Sequence, residues 1–268
     1  MPGSLQTFNS IIFFLTGLCF GSFLNVIVYR LPQGLSLVKP PSQCPSCLIR
    51  LGFIDLIPVI GYLLLQGRCR KCRVRISLRY PLVELTTGLL FLLLFYRFGL
   101  SADYFFYLTL LFTLLAISLI DLDHRIVPNR LVAFGLIAGL IFYLIKLSDL
   151  YINLPACLLV DRSPVDAFWG FLLGGGIIMA IFLISRGGMG AGDVKLMAMI
   201  GLYAGLQGTI VTLFLGFIFG ALVGIIYMIL GKLTRKDALP FAPFLSLGAL
   251  VAVLWGNQIW IWYTNLLR

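Results

Sequence analysis

The sequence predicts an all-α polytopic membrane protein of about eight transmembrane helices, with a cytoplasmic zinc-knuckle loop between the first and second. Three observations carry that prediction. Of the 268 residues, 60% are hydrophobic and only 11% charged, and the mean hydropathy is +1.04. Soluble domains carry about 25% charged residues, so an ordinary cytosolic enzyme and a disordered tail are both excluded. The apolar residues also fall into runs near the length of about 20 that a bilayer core demands. Finally, most of the polar remainder is gathered into one loop that holds four of the six cysteines.

The apolar runs lie at roughly 9–29, 81–99, 102–121, 130–146, 167–185, 195–207, 208–231 and 241–262. The sixth is short and interrupted by glycine. The first has no basic residue before it and Arg30 after it. A signal peptide would begin with basic residues and end in a small-residue cleavage site, so this run is expected to remain as an anchor with its N-terminus outside. Lys and Arg mark the cytoplasmic side of a membrane protein. With the N-terminus outside, sixteen of the 20 fall in one set of loops, and only Arg97, Lys146, Arg162 and Arg268 in the other. The formal charge of +10 therefore reads as topology and attraction to an anionic leaflet. Basic and aromatic residues do not interleave, so no nucleic-acid partner is expected.

The chain then divides into a first transmembrane helix (1–29), a cytoplasmic loop (30–80) and a membrane domain (81–268). A shorter external loop at 147–166 carries Asp149, Asp161, Arg162 and Asp166, and no internal repeat is evident.

In the loop, Cys44-Pro-Ser-Cys47 and Cys69-Arg-Lys-Cys72 are two C-x-x-C knuckles separated by 21 residues. Four thiolates at this spacing can close a tetrahedral zinc site, and a reducing cytoplasm argues against disulfides. The basic residues Arg68, Arg70, Lys71, Arg73 and Arg75 are expected to favour the thiolate form. Four cysteines leave no open coordination position. A structural clip for a loop too small to own a core is the leading reading, with redox sensing as the alternative. Cys19 and Cys157 are expected to be structural.

Ionisable groups inside spans are costly and point to function. The third run ends in Asp121-Leu-Asp123-His124-Arg125, and the fifth is followed by the turn Gly187-Gly188-Met189-Gly190-Ala191-Gly192-Asp193 before Lys195. By the charge count both acidic sites lie at the cytoplasmic face. Two carboxylates sharing a proton can hydrolyse a peptide, one activating water and the other donating to the carbonyl oxygen. Asp121 and Asp123 stand about 200° apart on a helix, so only one of them can face Asp193. The glycines beside Asp193 would let backbone approach a substrate strand. Spacing alone leaves three readings open: interfacial capping with ion pairs to Arg125 or Lys195, an ion-coupled transporter using Asp121 and Asp193, and hydrolysis. Asn25 reads as packing between helices, Glu84 as a buried carboxylate near the loop, and His124, the only histidine, as a solvated neighbour of Asp123.

Several motifs in order resemble the type IV prepilin peptidases, the bifunctional leader peptidase/N-methyltransferases of type IV pilus and type II secretion systems. They begin with Gly21-Ser22-Phe23-Leu24-Asn25-Val26 running into Tyr29-Arg30-Leu31-Pro32, and include both cysteine knuckles and Ile76-Ser77-Leu78-Arg79-Tyr80-Pro81-Leu82-Val83-Glu84-Leu85. Asp121-x-Asp123 with Pro128-Asn129, Gly190-x-Gly192-Asp193-x-Lys195-Leu196 and Pro240-Phe241-Ala242-Pro243-Phe244 follow. The resemblance implies a Gly-x-Gly-Asp membrane aspartyl endopeptidase of the bacterial inner membrane. It would cut the basic leader of prepilins or pseudopilins after Gly at the cytoplasmic face. Asp121 and Asp193 would be catalytic, with Asp123, Gly190, Gly192 and Lys195 supporting. It further implies methylation of the new N-terminal residue by S-adenosylmethionine, associated with the N-terminal half. The candidates there are Gly67, Arg79 and Glu84, beside structural Zn2+ on Cys44, Cys47, Cys69 and Cys72. The partners implied are the pilin precursors and the lipid bilayer, and a homodimer is compatible with the pattern.

Overall fold

A computed structural model describes residues 2–152, 155, 159–185, 189–232 and 239–266. Cys157, Gly187 and Gly188, together with Arg186, Arg235, Lys236 and Arg268 of the charge count, lie outside the described residues. The helices are α1 (Pro2–Arg30), the short α2 (Ile60–Leu64), α3 (Arg79–Phe98), α4 (Ala102–His124), α5 (Asn129–Ile152), α6 (Pro164–Ile184), α7 (Ala191–Ile229) and α8 (Ala242–Leu266). All but α2 are long and apolar enough to cross a membrane, which makes this a multi-pass membrane protein. Several helices run past the apolar stretches that predict them, because their first and last turns carry the polar residues of the interface.

The chain packs as two compact units, 1–99 and 100–268. In the first, α1 and α3 lie side by side. Phe13 stacks on Phe95 with centroids 4.4 Å apart, and the Ser10 hydroxyl bonds Tyr96 Oη at 3.1 Å. Glycines on facing helices permit that closeness, as at Gly17 against Gly88.

In the second unit, α7 spans 39 residues. A straight helix of that length would run about 58 Å, nearly twice the roughly 30 Å hydrocarbon core. It does not run straight, because Gly205 adopts φ 66°, ψ −174° and breaks the helix into arms 191–204 and 206–229. The first arm runs antiparallel to α6, with Gly170 against Gly201 and Gly174 against Met197. The second runs antiparallel to α8, with Thr212 beside Gly248 and Gly220 beside Phe241. The chain therefore doubles back at Gly205, and seven helices yield eight helical runs. The sequence divides the sixth and seventh runs at 207/208, whereas the break lies at 205.

The reversal is held by one side chain. Asp166, in the first turn of α6, accepts the Leu206 N–H at 3.0 Å and pairs with Arg162 at 3.0 Å. It thus supplies the acceptor that the first turn of the second arm lacks. The first arm is tied to α5 by two tyrosines, Tyr203 Oη donating to Gly135 O at 2.7 Å and Tyr143 Oη to Leu202 O at 3.0 Å. Phe106 of α4 lies against Tyr203, centroids 4.4 Å apart, and fills the space between them. At the Gly205 end, the Lys146 ammonium donates to the carbonyls of Val160, Asp161 and Arg162, and Asp103 accepts the Asp161 N–H. This binds the visible part of the 147–166 connection to the helix ends.

Candidate active site

At the opposite end of the second unit four helix termini meet: the C-terminus of α4 and the N-termini of α5, α7 and α8. The α4 helix stops where Arg125 takes a left-handed conformation, φ 54°, ψ 41°, and donates its N–H to Asp121 O. Asp121 sits one turn inside that end, 5% exposed. Its Oδ2 accepts the N–H of Ala242, the first residue of α8, at 3.1 Å. Ser118 Oγ bonds Ser246 Oγ at 2.7 Å one turn further in, so α4 and α8 are fastened along the same edge. These contacts hold the Asp121 carboxylate in one orientation, and a helix N-terminus is favourable ground for it.

Asp193 lies in the first turn of α7 and is 8% exposed. Its N–H donates to Gly190 O at 3.0 Å. Gly192 sets how near this turn comes to the α4–α5 connection: a Cβ there would stand 2.8 Å from Val127 Cβ. The close approach that glycine permits at 192 is thus to Val127 of the same chain rather than to a substrate strand. At Gly190, among the described residues, only the Asp193 Oδ2 and the Gly192 N lie within 4 Å of that position.

Asp121 and Asp193 line one pocket of about 360 Å³, together with Arg125, Ile126, Val127, Asn129, Gly190, Gly192 and Lys195. The two carboxylates interact electrostatically. Lys195 is turned to Asn129 Oδ1 at 3.1 Å, making a hydrogen bond with a neutral partner. Asp123 is exposed and outside this lining, on another face of α4. Two buried acids across a small polar pocket suit general acid–base chemistry on a carbonyl.

In the first unit the sulfurs of Cys44, Cys47, Cys69 and Cys72 all lie within 4.8 Å of one another. Cys44 and Cys72 are 3.8 Å apart and Cys47 and Cys69 3.9 Å. Four sulfurs at the Zn–S bond length would be spaced by about 3.8 Å, so the cluster fits a metal of that size. The runs starting at Cys44 and Cys69 take the same turn, a local repeat not recognised in the sequence. Cys44 and Cys69 each receive a backbone bond from four residues on, and the residue after each second cysteine, Leu48 or Arg73, has positive φ. The backbone N–H groups of Cys72 and Lys71, not the neighbouring cations, bring the Cys69 thiol down to about 6. Arg70 is instead committed to Asp55 at 2.7 Å. At Cys72 the Val74 N–H pulls downward, but desolvation and the neighbouring sulfurs outweigh it and hold the thiol up at about 11. A cation bound among the sulfurs would displace the proton that Cys72 still carries.

The remaining candidates anchor this loop. Glu84, buried in α3, accepts the Val59 N–H at 2.7 Å. Gly67 has φ 66°, and a Cβ there would meet the Tyr62 hydroxyl. The Arg79 N–H donates to Ser77 Oγ at the start of α3, and Asn25 Nδ2 donates to Tyr80 O at 3.2 Å. Cys19 is exposed on α1. The contributions of Ala242 and Asp166 escape sequence reasoning, since one acts through a backbone N–H and the other across 40 residues.

Comparison with known proteins gives two family matches. Residues 15–98 match the bacterial peptidase A24 N-terminal domain, and residues 108–225 the type IV leader peptidase family. Among curated relatives, a prepilin leader peptidase/N-methyltransferase of Pseudomonas putida is 35% identical over 271 residues, covering 91% of this chain and 90% of the relative. Proteins of the same name from Bacillus subtilis and Pseudomonas aeruginosa are 34% and 36% identical, over 95% and 91% of this chain and 98% and 90% of their own. No solved structure matches the chain significantly.

Proposed function

The chain belongs to the type IV leader peptidase family, and from that premise we propose that Asp121 and Asp193 form the aspartyl dyad that removes the leader of a prepilin or pseudopilin. The observation that carries this is the pocket in which α4 and α7 present one carboxylate each. One carboxylate takes a proton from water as the water oxygen attacks the scissile carbonyl. The other carboxyl gives its proton to the carbonyl oxygen, forming a neutral tetrahedral diol. Collapse breaks the C–N bond, with a proton delivered to the leaving amine, and the shared proton is restored to the pair. The Ala242 N–H keeps one Asp121 oxygen occupied, so the other addresses the pocket. Gly190 leaves room for a substrate backbone, and Lys195, held by Asn129, and Arg125 frame the opening. Asp123 supports from the adjoining face of α4.

We assign this pocket to the cytoplasmic face of the inner membrane with the N-terminus outside, an orientation that the Lys and Arg excess in the loops at that end supports. A basic leader followed by an apolar helix would present its junction there. The relatives' shared name also carries N-methyltransferase activity. We assign methylation of the new amino terminus, with S-adenosylmethionine as donor, to the 30–80 loop. Zn2+ on the four cysteines would fix that loop's shape. Glu84 and Gly67 contribute by holding its backbone, and Arg79 stands at its junction with α3.

The test is to incubate the purified protein with a pilin precursor and weigh the products by mass spectrometry, with and without S-adenosylmethionine. Expected are a cut after Gly and, with the donor, one added methyl group. An intact precursor from a folded, zinc-loaded sample would overturn the peptidase reading.

A further inference from the structure

Residues 54–65, Ile-Asp-Leu-Ile-Pro-Val-Ile-Gly-Tyr-Leu-Leu-Leu, contain a single charge in the middle of a loop that is otherwise basic. At Val59 their depth is fixed by the N–H bond to Glu84 Oε2, while Tyr62 Oη donates to Ile76 O at 3.3 Å on the loop side. Glu84 is five residues inside α3 from Arg79, about 7 Å along the helix. On the other helix, the Cβ position of Gly21 is 2.6 Å from Glu84 Cα. The α1 helix continues nine residues past that point to Arg30, about 13 Å. Val59 therefore lies below the ends of both spans that carry the loop, on the bilayer side.

The segment is built for that position. Among its backbone donors, the Ile57, Gly61, Leu63 and Leu65 N–H groups bond carbonyls within the segment. The Val59 N–H is met by the buried carboxylate of Glu84. Hydrocarbon demands that a chain entering it have its backbone donors bonded, and these five are. Val59 has φ 61°, ψ −51°, and Ile60 N–H reaches Pro58 O at 2.6 Å, a tight turn uncommon for a β-branched residue. The side chains meanwhile point away from the protein: Leu63 and Leu64 are 65% and 67% exposed, and Phe53, at the entry, 86%.

We infer that residues 54–65 form a re-entrant wedge that inserts into the outer part of the bilayer leaflet at which α1 ends, clamped by Glu84, with the surrounding arginines on anionic lipid headgroups. Charge selects lipid over the other available apolar occupant, the helix of a substrate. Between residues 31 and 78 there are seven Lys and Arg and one acid, Asp55, which is already paired with Arg70. Arg50, Arg68, Lys71 and Arg73 are exposed around the wedge. That rim attracts phosphatidylglycerol and repels a basic leader.

The full chain, reconstituted with 30% phosphatidylglycerol and phosphatidylcholine brominated on its acyl chains, tests this with Leu64→Trp. The emission added relative to the parent protein is read against unbrominated lipid. The expected result is a blue-shifted band quenched severalfold by bromine and shielded from aqueous acrylamide. A band at the solvent wavelength, open to acrylamide and indifferent to bromine, would overturn the inference. So would a band shielded only after a pilin precursor is added, which would make the substrate the occupant. Phe53→Trp, at the most exposed of these positions, provides a second reporter if Leu64→Trp fails to retain its metal.

Discussion

At the scale of single residues, the site depends on how near two helix ends come. Gly192 sets that distance, because a methyl group there meets Val127 Cβ at 2.8 Å and must push the first turn of α7 away from α4. Gly192→Ala is expected to lower the cleavage rate at least tenfold. Val127→Gly in the same chain should recover part of the loss, since it removes the Cβ that the new methyl meets. A rate unchanged by Gly192→Ala, measured on membranes with matched protein levels, would remove Gly192 from the account. Both aspartates were legible in the sequence, because acids at span ends are rare and costly. The partner of Asp121 was not. The Ala242 donor is a backbone N–H, which every residue but proline carries, and only the folded arrangement of α4 against α8 singles it out.

At the scale of elements, the cysteine loop was legible in the sequence, and the reversal of α7 was legible to within a few residues, at 207/208 rather than at Gly205. The residues from 196 to 231 carry no charge and divide near 207/208 by run length alone, and the glycines at 201, 205 and 208 are equally eligible by type as the turning point. Only Gly205 has positive φ, and only there does Asp166 meet the following N–H. Asp166→Ala is expected to destabilise the protein by about 1 kcal/mol, the ordinary value of a lost helix cap. Asp166→Asn, which keeps an acceptor, should cost clearly less. A thermal melt in detergent that ranks the two variants equally would contradict the capping role. In the loop, the four-cysteine spacing was readable because metal geometry constrains it tightly. The function of Glu84 was not, since its partner is a main-chain N–H 25 residues away.

At the scale of the whole molecule, the division into units 1–99 and 100–268 assigns the metal cluster and the acid pair to different packing units. Chelating the metal that the four cysteines would hold, or replacing Cys44 by Ser, should therefore abolish methylation while leaving most of the peptidase activity, assayed on one sample by mass spectrometry. Equal loss of both activities would mean that the loop takes part in cleavage. The transporter reading that the aspartates admit on spacing alone finds no support among the relatives, whose shared name is that of a peptidase.

If Asp121 and Asp193 act as one unit, the cleavage rates of the two single Asn variants and of the double variant will show it. Groups that act as a unit are strongly non-additive. Asp121→Asn and Asp193→Asn should each bring precursor cleavage in native membranes down to the level of the double variant, a loss of three orders of magnitude or more on the order seen for such machinery. A single variant that keeps a substantial fraction of the parent rate, with its fold intact, would mean that the two carboxylates do not work as a pair.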